Sequence, residues 1–190
     1  QWSAIVDAML EADLLDLITS NFTRLDESQD ADRAGVYHAL SVLENLSSQP
    51  SIAEKIGKSE SVFKYLLERI QKKEKEVTQN IQYAAEILAI LLQASPANRP
   101  ILAEKNGVDI LLQLLAPYRK RDPPHGTEEE EFVENIFDAL TCLVDSAIGK
   151  SKFVEAEGVE LALIMIKEGK MSRPRALRLL DHACSNTGGS

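Results

Sequence analysis

Apolar residues in this chain recur three and four positions apart, the spacing that lines one face of an α-helix. Ala39-Leu40-Ser41-Val42-Leu43-Glu44-Asn45-Leu46-Ser47 has this spacing. So do Ala84-Ala85-Glu86-Ile87-Leu88-Ala89-Ile90-Leu91-Leu92 and Ala139-Leu140-Thr141-Cys142-Leu143-Val144-Asp145-Ser146. Each reads as a long helix with a buried stripe of small and large apolar residues. A second string accompanies the first. Ala53-Glu54-Lys55-Ile56-Gly57 leads to Val62, Leu66 and Leu67, and Ala103-Glu104-Lys105-Asn106-Gly107 leads to Val108-Asp109-Ile110-Leu111-Leu112. Val154-Glu155-Ala156-Glu157-Gly158 leads to Val159-Glu160-Leu161, so the glycines lie about fifty residues apart.

Self-similarity at this period marks a repeat architecture. Each unit reads as a short helix ending near glycine, a second helix with paired leucines, and a long third helix. A lone unit cannot bury its apolar faces; stacked units share one continuous core. The fold class is therefore all-α, an armadillo-type helical-repeat superhelix. Residues 1–190 form one such domain of three to four units, and the chain reads as a fragment of a longer protein. Glu11 to Ile18 is expected to be the second helix of a preceding unit, and Ser172 to Ala183 the start of a following one. The glycines are expected to supply a positive φ where two helices meet.

Punctuation agrees with the helices. Pro50 and Pro96 follow long helices. Thr127 and Glu130 have capping-box spacing, and Ser172 stands as a cap with Pro174 in the first turn. Gln71 to Glu76 is a charged run read as a solvated helix end, and residues 117–127, with Arg119-Lys120-Arg121 and Pro123-Pro124, as an exposed loop.

Composition narrows the function. The 190 residues are 44% hydrophobic and carry a formal net charge of −9. That balance disfavours direct binding to nucleic acid and favours basic partners. No apolar run approaches the roughly 18 residues of a membrane span. Cys142 and Cys184 are too few and too far apart for a disulfide framework or zinc site, and both are expected to be buried. Two Gly-Lys-Ser strings, at Gly57 and Gly149, lack the second glycine five residues earlier that a phosphate-binding loop needs. His38, His125 and His182 have no second ligand at metal spacing. No catalytic motif, metal set or cofactor signature stands out, so an enzyme is not expected.

Groups of this fold bind extended peptides along their third helices. Aligning Ala39, Ala84 and Ala139 gives an outward stripe of His38, Ser41 and Asn45, then Tyr83, Glu86 and Ile90, then Asp138, Thr141 and Asp145. Ser41, Asn45, Tyr83, Glu86, Asp138, Thr141 and Asp145 are the candidate peptide-binding residues, with the carboxylates placed to meet Lys or Arg. The Trp–Asn ladder of importin-alpha-type receptors is matched only at Asn45.

A closer resemblance rests on an ordered set of strings. These are Arg24-Leu25-Asp26-Glu27-Ser28, Glu86 to Gln93, Gly107 to Gln113, Glu134-Asn135-Ile136-Phe137-Asp138, Glu157-Gly158, Ser172-Arg173 and Leu179-Leu180-Asp181-His182-Ala183. In this order and spacing, from about Leu14 to Ala183, they resemble the beta-catenin-like protein 1 family of armadillo-repeat proteins. That resemblance implies a nuclear scaffold associated with the spliceosome through the Prp19-type complex. It also implies binding to basic localisation-signal segments of splicing factors such as the cell-division-cycle 5-like protein, an activation-induced deaminase partner in vertebrates, and self-association into a homodimer. Gln71 to Asn80 and the segment near Pro123 diverge from the family pattern. The alternative is a generic armadillo adaptor or import-type carrier with an unrelated ligand.

Overall fold

A computed structural model describes residues 1–185. Its twelve α-helices fall into four successive groups of three. The first holds α1 (Trp2–Glu11), α2 (Leu14–Phe22) and α3 (Asp30–Ser47). The second holds α4 (Pro50–Gly57), α5 (Glu60–Ile70) and α6 (Gln79–Ala94). The third holds α7 (Asn98–Glu104), α8 (Gly107–Leu115) and α9 (Glu128–Val144). The fourth holds α10 (Ala147–Glu155), α11 (Gly158–Glu168) and α12 (Ser172–Cys184). The third helices pack in order, α3 on α6, α6 on α9 and α9 on α12.

The apolar stripes fill one core. Leu40 and Leu43 of α3, Ile87, Leu88, Leu91 and Leu92 of α6, and Leu140 and Leu143 of α9 are all completely buried. They belong to one cluster with Phe63, Leu66 and Phe137. Because α6 is flanked by α3 on one side and α9 on the other, little of it is left exposed.

Several local expectations change. Glu11 closes α1, and α2 begins only at Leu14, after Asp13 at φ 55°. Ser172–Cys184 is the third helix of the fourth group, packed on α9 and α11, rather than the start of another unit. The repeated glycines do not carry the positive φ. In two units the residue before them does: Asn106 at 61° and Glu157 at 58°. The glycines are needed for close approach instead. A Cβ on Gly158 would lie 2.3 Å from the Phe153 ring, and one on Gly107 would lie 2.6 Å from the Leu102 carbonyl. At Gly57 the Cβ would fall 1.8 Å from Asn98 Oδ1. Fully buried Asn98 donates to the carbonyls of Ala53 (2.9 Å) and Leu91 (3.0 Å), tying α7 to α4 and α6.

Thr127 caps α9 by accepting the N–H of Glu130 at 3.3 Å, and Glu130 reaches back to the Gly126 N–H at 2.5 Å. Ser172 is not a side-chain cap. Its hydroxyl donates to Asp122 (3.0 Å), whose carboxylate also accepts the N–H groups of Lys170, Met171 and Ser172. The 117–127 segment thus caps a helix fifty residues away. Of the two cysteines, Cys142 is buried but Cys184 is exposed at the end of α12.

Candidate functional site

The long helices present polar side chains in two stretches, one acidic without counter-ions and one in which acids and bases are paired. The first lies between α3 and α6. Tyr37, Glu44, Gln79, Gln82, Tyr83 and Glu86 line a cleft of about 270 Å³. It shares Tyr37 and Gln79 with a neighbouring cleft of about 570 Å³ that runs toward Glu27 and Asn80. At that end Arg69, almost wholly buried, is paired with Glu27 at 2.5 Å, and Asn80 donates to the same carboxylate. The pair fixes the α2–α3 loop against α5 and so sets the rim of the clefts.

Within the smaller cleft the Tyr83 hydroxyl donates to Glu44. Burial, and then this hydrogen bond, push the Tyr83 phenol up to about 12, so it stays a neutral donor. The rings of Tyr37 and Tyr83 are 5.3 Å apart and tilted by 40°. Gln82 donates to Glu86 at 3.3 Å. Burial raises the Glu86 carboxyl above its ordinary value; the Gln82 hydrogen bond opposes this, and the charges of Glu44 and Glu131 reinforce it. Neither Glu44 nor Glu86 forms a salt bridge among the described residues. Two mutually repelling carboxylates on a half-buried wall favour an incoming cation.

The second stretch, between α9 and α12, carries its own cations. Arg175 meets Glu134 at 3.1 Å and Asp138 at 3.5 Å, and Arg178 also reaches Asp138 at 3.5 Å. Asp145 is held by His182 at 2.7 Å and Arg99 at 3.5 Å. Glu134, Asp138 and Asp145 are thus paired within the chain.

The sequence-derived residues divide between these stretches. Tyr83 and Glu86 line the α3–α6 cleft; Ser41, half-buried on α3, lies outside its lining. Asn45 is exposed on α3 beyond the cleft lining. Asp138 and Asp145 lie half-buried in the paired stretch, and Thr141 is buried between them. Sequence reasoning missed the lining residues Tyr37, Glu44, Gln79 and Gln82. On α3 the cleft-lining residues are Tyr37 and Glu44, each one position before the expected His38 and Asn45. Tyr37 and Glu44 each follow a buried core residue, Val36 and Leu43, and that adjacency is their only sequence signal.

Nothing in the cleft resembles a nucleophile with its base. Cys142 is buried, and that burial raises its thiol, which disfavours the reactive thiolate. The Gly57 string falls at the end of α4, and Gly149-Lys150-Ser151 lies inside α10. No helix of the described residues is long and apolar enough to cross a membrane.

Comparison with known proteins gives one family. The profile described as catenin-beta-like, Arm-motif containing nuclear matches residues 1–190. The Schizosaccharomyces pombe beta-catenin-like protein 1 homolog is 39% identical over 181 residues, covering 95% of this chain and 32% of that protein. Beta-catenin-like protein 1 of Homo sapiens is 38% identical, covering 94% and 31%. The chain thus spans about a third of the length of these relatives. An engineered protein of known crystal structure superposes with a TM-score of 0.69 at 18% identity, covering 94% of this chain and 65% of that one. This last likeness concerns the fold alone.

Proposed function

The chain belongs to the catenin-beta-like, Arm-motif containing nuclear family, and from that premise we propose that it is a protein-binding scaffold whose α3–α6 cleft holds a basic segment of a partner. The partner class is a splicing protein with a lysine- and arginine-rich localisation-type segment, the cell-division-cycle 5-like protein being the example that the resemblance supplies. The proposal places the chain in the nucleus, within a Prp19-type spliceosomal assembly. It assigns binding rather than catalysis.

The observation that carries the reading is the unpaired state of Glu44 and Glu86 beside a stretch where Glu134, Asp138 and Asp145 are all paired. Two carboxylates without a counter-ion in an aromatic-walled cleft, beside a helix interface whose acids are matched by arginine and histidine, are arranged for a cationic ligand. The net charge of −9 adds long-range attraction for such a ligand. The family description supports the nuclear setting.

The test is fluorescence anisotropy of a labelled lysine/arginine-rich peptide, titrated with the chain at about 50 and about 150 mM salt. Saturable binding that weakens with salt is expected. A peptide that fails to saturate at either salt would overturn the reading and favour an adaptor with an unrelated ligand.

A further inference from the structure

We propose that the Tyr37–Tyr83 part of this cleft is an arginine anchor, with Tyr37 selecting arginine over lysine. The inference rests on the basic-segment reading above and adds which cation enters.

The chain already contains one filled version of the arrangement. In the 117–127 segment the Tyr118 hydroxyl donates to Glu129 at 2.8 Å. The Arg121 guanidinium lies over the Tyr118 ring, 4.9 Å from its centroid, and pairs with the same Glu129 at 3.1 Å. Tyrosine orients the carboxylate, and one arginine uses both the ring and the charge.

The α3–α6 cleft repeats two of these three parts. Tyr83 donates to Glu44, as Tyr118 does to Glu129. The ring face is supplied by Tyr37, which is 37% exposed while Tyr83 is 8% exposed. The 40° tilt between the rings opens a wedge, and His38 stands edge-on to Tyr37 at 5.8 Å. Glu86 forms the opposite wall, steadied by Gln82. No lysine or arginine among the described residues pairs with Glu44 or Glu86. At about 270 Å³ the cleft falls below the usual size of small-molecule pockets and suits one long side chain.

Arginine exploits this geometry better than lysine. Its guanidinium is planar, weakly hydrated and stacks on aromatic faces while donating to a carboxylate. Lysine brings an equal charge but a compact, strongly hydrated head that gains little from the ring.

Labelled hexa-arginine and hexa-lysine, equal in charge, separate the two terms. The chain is expected to bind hexa-arginine about fivefold more tightly at near-physiological salt. Tyr37→Leu, at an exposed position, should weaken hexa-arginine by a similar factor, leave hexa-lysine within about twofold, and erase the preference. Tyr37→Trp should retain it, because tryptophan offers the stronger cation–π face. Equal binding of both peptides by the unaltered chain, or a preference that survives Tyr37→Leu, would overturn the anchor alone. Binding of neither peptide would overturn the basic-segment reading and the anchor with it.

Discussion

Asp122 shows how one side chain in a loop sets the end of a distant helix. Its carboxylate accepts the N–H groups of Lys170 (3.0 Å), Met171 (3.1 Å) and Ser172 (3.3 Å), covering donors at the start of α12 that have no intrahelical partner. Burial pushes the carboxyl up, but the combined hydrogen bonds from Met171, Lys170 and Ser172 outweigh it, and its pKa lies below the ordinary aspartate value. A depressed folded-state pKa contributes stability that is present above the unfolded value, about 4, and is lost as pH falls through the folded value. Asp122→Ala is therefore expected to cost about 1 kcal/mol at neutral pH and to speed amide hydrogen exchange in the first turn of α12. The difference between variant and parent should shrink in acid, below about pH 4. Unchanged exchange in that turn at neutral pH would show that Asp122 does not hold the helix. The serine at the right local spacing, Ser172, pointed to a cap but not to its true source, because a tertiary partner fifty residues upstream leaves no local signature.

At the scale of elements, the glycines give the sharpest contrast. Gly57→Ala would drive a Cβ into Asn98 Oδ1, and Asn98 is completely buried with its amide hydrogens committed to Ala53 and Leu91. The expected cost is about 1–3 kcal/mol in urea melts. Gly35 lies in α3, where the nearest atom to an added Cβ is Leu25 Cδ1 at an ordinary 3.6 Å. Gly35→Ala should instead gain about 0.5–1 kcal/mol of helix propensity. Opposite signs at two helical glycines test whether close approach is what the repeat glycine serves; a stabilising Gly57→Ala would refute it. Leu88→Ala, at a completely buried position of α6, should cost about 2–5 kcal/mol.

The three-helix repeat and its buried stripes were legible because helical periodicity and a fifty-residue recurrence are both written along the chain. The glycine's purpose was not, since a conformational need and a packing need select the same residue. The cleft was legible in part. Tyr83 and Glu86 follow from the stripe on the third helices, but Tyr37 and Glu44 depend on which flank of α3 meets α6. The pairing of Asp138 with Arg175 and Arg178 likewise depends on how α12 lies across α9, which no single helix reveals.

For the whole molecule, the charge of −9 is less informative than its distribution. The α9–α12 stretch balances Glu134, Asp138 and Asp145 with Arg175, Arg178, Arg99 and His182. The α3–α6 cleft leaves Glu44 and Glu86 without such partners. Four stacked units therefore give a continuous core but not a uniform surface, and the proposed basic ligand falls on the first half. The most direct test compares basic-peptide affinity for two double variants that remove the same number of charges: Glu44→Gln with Glu86→Gln, and Asp138→Asn with Asp145→Asn. The cleft pair should weaken binding about tenfold, while the α9 pair should change it less than about twofold. Equal losses, or a loss confined to the α9 pair, would contradict a site at the α3–α6 cleft.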